Sequence, residues 1–351
     1  MSATSITVLI TTYNYGQFIE EAIDSVLAQE FPQEQVEIVI VDDGSTDDTA
    51  ERVKKYGSRI RYFYQANGGQ AAALNAGFAN ARGEIVMLLD ADDLFLPGRL
   101  ARVEEAFKRA PELGMVYHGM LEWNMETNER RESIFPLVSG DVKSVPDLFL
   151  SYEAQPTSCI SFRRASLSQL LPIPEHIRML ADGYLVDLIP FLSPILAIPE
   201  PLVVYRIHGK NCFYTDRRHA PPEVRKNTLQ MRRILLDAMR KWLADNGYTK
   251  KQLPVGLFVE WWDLYLQSEG FLIQPPSRLR FFWWRVRRNR ADSRRQTWRF
   301  TFFNYLTASF ALIFGYTKAD LMYKWQTRTL ETTKRIYRKF GGRSNQGPSR
   351  A

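Results

Sequence analysis

The first hundred residues alternate between short apolar runs and amphipathic segments. The apolar runs are rich in β-branched residues and predict strands at 6–10, 36–41, 59–64 and 84–89. Segments with apolar positions at helical spacing lie between and after them, at 17–29, 70–81 and 98–109. Because connections of this kind join parallel strands, the pattern predicts an α/β domain: a Rossmann-like open sheet with helices on both faces.

The remaining elements are less regular. Ser45 or Thr46 is placed to cap a further short helix after the second strand. The pattern is mixed from 114 to about 211. It then becomes helical, with a long amphipathic segment opening at Pro221-Pro222 and another over 255–270, which predicts a helical C-terminal extension.

Charge and cysteine content indicate the cellular compartment and the kind of partner to expect. The 351-residue chain carries a formal net charge of +7, but nine arginines and one aspartate lie between Arg278 and Arg299, so the rest is close to neutral. A local basic patch of this kind does not predict a nucleic-acid partner. Cys159 and Cys212 are too few for a disulfide framework or a thiolate metal site, which favours a reducing, cytosolic setting. Residues 1–5 lead directly into the first strand, so we expect no signal peptide.

Two acidic clusters follow directly after predicted strands. Asp42 and Asp43 end the second apolar run, and Asp90, Asp92 and Asp93 end the fourth. Ligands bind at this carboxyl edge of the strands in an open α/β sheet. Carboxylates there can bind Mg²⁺ or Mn²⁺ together with substrate phosphates. The clusters therefore indicate an enzyme that handles a metal-complexed phosphate donor, although acidic turns are also common as solvated helix caps.

Weaker signals lie on either side of these clusters. Thr11 and Tyr13 end the first strand, where a hydroxyl could hydrogen-bond a nucleobase and a ring could stack on it. Gly68 and Gly69 permit close backbone approach to a ligand before the third helix, which also contains Asn75. Ordinary strand-to-helix turns use the same residues, so these signals alone leave both interpretations open.

The order of these motifs resembles the family 2 glycosyltransferases, whose nucleotide-diphospho-sugar transferase fold is called GT-A. The matching segments are Ile10–Asn14, Val41–Asp47, Asn75–Gly77, Ala81–Glu84, Leu89–Asp93 with Pro97, Ala181–Leu185 and Tyr205–Gly209. The resemblance implies a GT-A catalytic domain over 1–212, with a nucleotide-sugar-binding half at 1–112 and an acceptor half at 113–212. The helical C-terminal part lies outside it.

The resemblance also implies a role for each site residue. Asp182 matches the family's catalytic base, Asp92 its main metal ligand, and His208 a histidine that approaches the metal or the diphosphate in some relatives. The residues implied to bind the nucleotide-sugar donor are Thr11, Tyr13, Asp42, Asp43, Gly69, Gln70, Asn75, Asp90 and Ala91. The family usually has an acid immediately before the base, where this chain has Ala181, and Asp187 is the only nearby substitute for the base.

The activity implied is that of an inverting, hexosyltransferase-type enzyme that depends on Mg²⁺ or Mn²⁺. One carboxylate would deprotonate the acceptor hydroxyl on the face opposite the leaving nucleotide. A non-catalytic nucleotide-sugar-binding module is an alternative that Ala181 leaves open. A nucleotidyltransferase is a further alternative, but it would be expected to carry a Gly-rich activating loop near its N-terminus. This chain has Thr11–Asn14 there, which argues against that class.

Residues 213–340 predict a helical, basic and aromatic module. Arginines flank aromatic residues in Arg280–Arg285, a composition that suits an anionic lipid interface. The uncharged run at 300–316 is diluted by polar side chains, which favours a helix in the interface over one that spans the bilayer and leaves a buried core helix open. Residues 322–340 predict another basic helix. The tail at 341–351 is rich in Gly, Ser and Pro, and predicts disorder.

The basic and aromatic composition of residues 213–340 sets the expected location and acceptor. We expect a cytoplasmic protein in peripheral contact with the cytoplasmic face of the inner membrane. Its acceptor would then be a lipid-linked glycan in bacterial surface polysaccharide synthesis. A soluble glycosyltransferase acting on a protein or small-molecule acceptor is the alternative, and it would differ only in the C-terminal module.

Overall fold

The computed structural model describes residues 5–133, 138–142, 144, 155–211, 221–273, 277, 279–280 and 283–284. The chain divides into two compact units, one ending at Trp262 and the other beginning at Asp263. The acidic clusters and the segments matched to the family all lie in the first unit. The domain boundaries predicted after residues 112, 212 and 340 stay predictions.

Among the described residues, a nine-stranded mixed sheet forms the centre of the first unit. Its strands are β1 (Ile6–Thr12), β2 (Val36–Asp42), β3 (Arg61–Tyr64), β4 (Ile85–Asp90), β5 (Leu94–Phe95), β6 (Met115–Asn124), β7 (Arg130–Ser133), β8 (Ile160–Arg163) and β9 (Ile195–Ile207). Their order is β3-β2-β1-β4-β8-β6-β9-β5, and β7 pairs with β6. β3, β2, β1 and β4 are parallel, as predicted, whereas β8 is antiparallel to β4 and β6.

Helices pack on both faces of the parallel strands. The helices of the described residues are α1 (Gly16–Leu27), α2 (Thr49–Lys54), α3 (Gln70–Asn80), α4 (Arg99–Arg109), α5 (Arg164–Leu167), α6 (Ala181–Leu192), α7 (Pro222–Asp245) and α8 (Leu253–Ile273). Alternate residues of β1, such as Val8, join one apolar cluster with α1 and α4. Leu9 faces α3 on the other side, where Gly77 permits close packing because a Cβ there would lie 2.3 Å from Leu9 Cδ1. The predicted helices over 17–29, 70–81 and 98–109 are confirmed.

The start of α2 differs from the sequence prediction. The helix begins at Thr49, and Asp47 Oδ1 accepts the Thr49 backbone N–H at 3.0 Å. Ser45 instead accepts the Asn14 backbone N–H at 2.8 Å. The prediction that Ser45 or Thr46 caps this helix is therefore wrong. The Ser45 side chain instead contacts the turn after β1, and its partner Asn14 lies 31 residues away in sequence.

Strand register places the two acidic clusters at one edge of the sheet. Thr11 lies opposite Val41 on one side and opposite Asp90 on the other, and Thr12 lies opposite Asp42. Since β1, β2 and β4 are parallel, their carboxyl ends lie side by side. The predicted ligand-binding edge is thus formed by residues that are distant in sequence.

Much of the predicted membrane-associating module at 213–340, and the separately predicted tail, lie outside the described residues. This applies to 300–316, 322–340, the tail at 341–351, and most of the basic stretch from Arg278 to Arg299. Within the part of the chain that the structure describes, no helix combines the length and the apolar character that crossing a bilayer requires.

Candidate active site

Asp42 and Asp43 organise the loops that follow β2. Asp42 Oδ1 accepts the Ser45 backbone N–H at 2.7 Å, and its Oδ2 accepts the Tyr62 hydroxyl at 2.7 Å. Asp43 accepts the backbone N–H groups of Gly68 and Gly69, each at 2.8 Å. Both carboxylates are buried. They therefore hold these loops together, and their role as direct ligands of the donor stays a prediction.

The Gly68-Gly69 turn supports the segment that leads into α6. Gly69 has φ +90°, and a Cβ there would lie 2.8 Å from the Arg178 carbonyl oxygen. That carbonyl accepts the Gln70 backbone N–H at 2.9 Å. The Gln70 side-chain oxygen in turn accepts the Ala181 backbone N–H at 2.9 Å. Glycine is required here because another chain segment contacts the turn directly.

Three carboxylates converge in the loop after β4. One oxygen of each of Asp90, Asp92 and Asp93 can be chosen so that all three lie within 4.8 Å of one another. Asp93 is fully buried and accepts the Ser158 hydroxyl at 2.5 Å and the Arg206 backbone N–H at 3.0 Å. Burial, followed by the charge of Asp92, raises the pKa of Asp93 to about 8. Asp93 therefore serves to hold the loop in place.

Asp92 faces two polar groups from the end of β9 and the turn after it. His208 Nε2 lies 3.0 Å from Asp92 Oδ2, and Asn211 Nδ2 donates to the same oxygen at 3.2 Å. The Asp90 carboxylate lies beside them. Two carboxylates and an imidazole suit a hard or borderline divalent cation that takes its other ligands from a bound diphosphate. The residues present thus fit Mg²⁺ or Mn²⁺.

Asp182 lies in the first turn of α6. Thr157 Oγ1 donates to Asp182 Oδ2 at 3.0 Å, and the Thr157 side chain also lies within hydrogen-bonding reach of Asp90. Burial raises the pKa of Asp182, while the bond from Thr157 opposes that shift. Burial also raises the pKa of Asp90 well above its ordinary value, and repulsion from neighbouring carboxylates adds to it. The candidate base and the candidate metal-binding loop therefore form one connected site.

The residue before Asp182 and the predicted substitute for the base, Asp187, are both buried. Ala181 is fully buried. Asp187 is also buried, and its Oδ2 accepts the Trp262 indole N–H at 3.1 Å. Burial raises the pKa of Asp187 to about 7. Asp187 therefore connects α6 to Trp262 of α8, and the geometry favours Asp182 over Asp187 as the base.

The other predicted donor ligands lie around the same edge in different environments. Thr11 is half-buried, Ala91 is buried, and Tyr13 is 48% exposed, so its ring is available to a ligand. The Asn75 amide exchanges two hydrogen bonds of 2.8 Å with the backbone of Ile173. Asn75 thus holds two segments of the chain together, and its contact with a donor stays a prediction.

Sequence reasoning missed Thr157 and Ser158. Ser158 accepts the Asp90 backbone N–H at 3.0 Å and donates to Asp93, while Thr157 contacts Asp182 and Asp90. The only signal in the sequence is a pair of adjacent hydroxyls just before the apolar β8. Such a pair is too common to indicate a site by itself.

Comparison with known proteins identifies relatives. The model for glycosyl transferase family 2 matches residues 7–171, so Asp182 and His208 lie beyond the match. An uncharacterized glycosyltransferase of Nostoc sp. is 39% identical over 215 residues, which cover 59% of this chain and 66% of that protein. One from Rickettsia typhi is 42% identical over 95 residues, 27% of this chain and 29% of that protein. The matches therefore span less than two thirds of the length of these relatives.

Solved structures share the fold. S. aureus TarS 1-349 in complex with UDP-GlcNAc has a TM-score of 0.52 at 17% identity, over 88% of this chain and 91% of that one. The mannosyltransferase PcManGT from Pyrobaculum calidifontis, in complex with GDP-Man and Mn²⁺, has a TM-score of 0.52 at 18% identity, over 96% and 87%. These matches confirm the GT-A fold with a helical C-terminal part. The family model and the sequence relatives identify residues 7–171 of this chain as a glycosyl transferase family 2 region.

Proposed function

We propose that this protein transfers a sugar from a nucleoside diphosphate donor to an acceptor hydroxyl. The observation that supports it best is the connection, through Thr157, of a buried carboxylate at a helix N-terminus to the acidic loop after β4. TarS was solved with UDP-GlcNAc and PcManGT with GDP-Man, which supports a nucleotide sugar as the donor.

A divalent cation belongs to this proposal. Asp92, His208 and Asp90 would hold Mg²⁺ or Mn²⁺, and the Mn²⁺ complex of PcManGT supports this choice. When bound, the cation offsets the negative charge that develops on the departing diphosphate.

The protein's own groups supply the remaining chemistry. Asp182 would accept the proton of the acceptor hydroxyl, and burial raises the pKa of this carboxylate toward that task. The Thr157 hydroxyl donates to one carboxylate oxygen, and the Gln70 side chain and the backbone at 182 and 183 also hydrogen-bond this carboxylate, which orients it. Attack by the acceptor opposite the leaving nucleotide inverts the anomeric carbon, so we propose an inverting enzyme of the hexosyltransferase type.

The central test is a donor screen with the purified full-length chain. UDP- and GDP-sugars, including UDP-GlcNAc and GDP-Man, are incubated with Mn²⁺, Mg²⁺ or EDTA, and release of nucleoside diphosphate is measured. We expect hydrolysis of one donor, and its loss in EDTA and in Asp92→Ala. No release with any donor, from a chain that binds nucleotide sugars, would favour a non-catalytic binding module.

A second test concerns the base. Asp182→Asn is expected to keep donor affinity by calorimetry and to lose transfer. Asp187→Asn is the matched control, because it removes a buried carboxylate from the same helix and retains transfer. Loss of transfer in Asp187→Asn but not in Asp182→Asn would assign the base to Asp187.

The acceptor and the location form the last part of the proposal. The basic, aromatic stretch from Arg278 to Arg299 supports peripheral contact with the cytoplasmic face of the inner membrane, and a lipid-linked glycan of surface polysaccharide synthesis as acceptor. Flotation with anionic and with neutral liposomes tests this. Wild type should float with the anionic vesicles, and a variant with Arg285, Arg287 and Arg288 changed to Glu should not. If wild type does not float, a soluble enzyme with a protein or small-molecule acceptor is favoured.

A further inference from the structure

Arg206, near the end of β9, is buried beneath the metal-binding loop. Its side chain is fully enclosed, and its Nε donates to the Asp92 carbonyl oxygen. Its backbone N–H donates to Asp93 Oδ1 at 3.0 Å. One residue thus holds two consecutive residues of the loop, one through a carbonyl and the other through a carboxylate.

The rest of the guanidinium is held by α1. Its Nη1 donates to the Glu21 carboxylate, and its Nη2 donates to the Phe18 carbonyl oxygen at 3.4 Å. Glu21 supplies the countercharge that a buried guanidinium needs. Because α1 packs into the core beside β1, its connection to Arg206 anchors the loop to a rigid element.

The Phe18 ring connects Arg206 to the second candidate metal ligand. The Arg206 guanidinium carbon lies 4.8 Å from the ring centroid. The His208 imidazole stacks on the same ring, with centroids 4.5 Å apart and planes inclined by 30°. Phe18 thus restricts the imidazole while the Arg206 guanidinium restricts the Asp92 backbone.

We propose that Arg206 and Phe18 are positioning residues that hold Asp92 and His208 in place to receive a divalent cation. This inference rests on the proposed function, since it assigns a role at the same site. Neither residue would touch the metal or the substrate. Outer groups that orient metal ligands typically change metal affinity by about 10–100-fold when they are removed.

The test measures metal binding by itself. Free Mn²⁺ is titrated with the full-length chain and followed by electron paramagnetic resonance, with Mn²⁺ alone and with added UDP or GDP. Arg206→Lys keeps the charge but loses the planar guanidinium, and Phe18→Leu keeps apolar bulk but loses the ring. Both variants are expected to weaken Mn²⁺ binding by about 10-fold or more, with far-UV circular dichroism as in wild type.

Arg163 is the matched control. Its Nε donates to the Leu113 carbonyl oxygen at 3.0 Å, its Nη2 donates to the Phe107 carbonyl oxygen at 2.9 Å, and it lies over the Phe107 ring. Arg163 pairs with Ile85 at the start of β4, whereas Asp90 ends that strand. Arg163→Lys is therefore expected to lower the melting temperature without changing Mn²⁺ affinity.

The outcomes separate this inference from the proposed function. Wild-type Mn²⁺ affinity in both Arg206→Lys and Phe18→Leu would overturn the positioning role, as would an equal loss in Arg163→Lys. If Arg206→Lys does not fold, Phe18→Leu decides. Mn²⁺ binding that is undetectable in wild type would instead reject the metal site, and the positioning role with it.

Discussion

The hydroxyl of Thr157 is the contact through which the structure connects the candidate base to the acidic loop. It donates to Asp182 Oδ2 at 3.0 Å and lies within hydrogen-bonding reach of Asp90. Thr157→Val keeps the shape of the side chain and removes the donor. Because the hydrogen bond favours the ionised carboxylate, its loss is expected to raise the pKa of Asp182 further above its ordinary value.

The magnitude follows from the kind of bond that is lost. A hydrogen bond to a charged group contributes about 1.5–3 kcal/mol. At about 1.4 kcal/mol per pKa unit, this corresponds to a rise of about one to two units. The acidic limb of kcat/KM should therefore move to higher pH by that amount, while the plateau above the limb is retained.

The assay is a pH–rate profile of nucleoside diphosphate release for the donor identified in the screen. Thr157→Ser is the control, because it keeps the hydroxyl and should keep the limb of wild type. Thr157→Val also removes the hydroxyl beside the Asp90 carboxylate. The pH profiles of kcat/KM, which reports the free enzyme, and of kcat, which reports the bound enzyme, are therefore both recorded. An acidic limb at the same pH in wild type and Thr157→Val would refute the reasoning.

Three further predictions concern residues that shape the site. Gly69→Ala should cost about 1–3 kcal/mol of stability and weaken nucleotide binding measured by calorimetry. Gly57 also has positive φ but open space around it, so Gly57→Ala is the control and should leave nucleotide binding unchanged. Ser158→Ala leaves a buried Asp93 oxygen without its donor and should cost about 1–3 kcal/mol in urea unfolding. The pKa of Asp187 is raised from 3.8 to about 7, so its stabilising contribution is present at acidic pH and is lost as pH rises through about 7. Asp187 should therefore account for ~2–3 kcal/mol of the stability that wild type loses between pH 5 and 8, and Asp187→Asn should lose that much less; equal pH dependence would contradict the shift.

The parallel half of the sheet could be predicted because its signals are local. The apolar runs that become β1, β2 and β4 are buried on both faces, and such strands read as continuous β-branched segments. Asp42 and Asp90 were placed correctly because an acid that ends a parallel strand must lie at the carboxyl edge. The antiparallel β8 was not predicted, since its four residues contain no periodic signal.

The site was predicted less completely than the fold. Asp182 and His208 were found through resemblance to a family, and the structure brings them to the same edge as Asp92. Thr157 and Arg206 were not predicted as parts of the site. Their roles depend on which atoms they contact in the folded protein, and the sequence around them does not indicate those contacts.

By itself, the sequence determined that a doubly covered parallel sheet would present acids at one edge, because strand burial and chain direction follow from local patterning. Only the tertiary structure decided which of those acids are engaged in holding loops. Asp43 accepts backbone N–H groups of the Gly68-Gly69 turn, and Asp93 accepts the Ser158 hydroxyl and the Arg206 backbone N–H, while Asp92 meets His208 and Asn211. The physical reason is distance along the chain, since the Arg206 donor reaches Asp93 across 113 residues and no local pattern encodes such a partner.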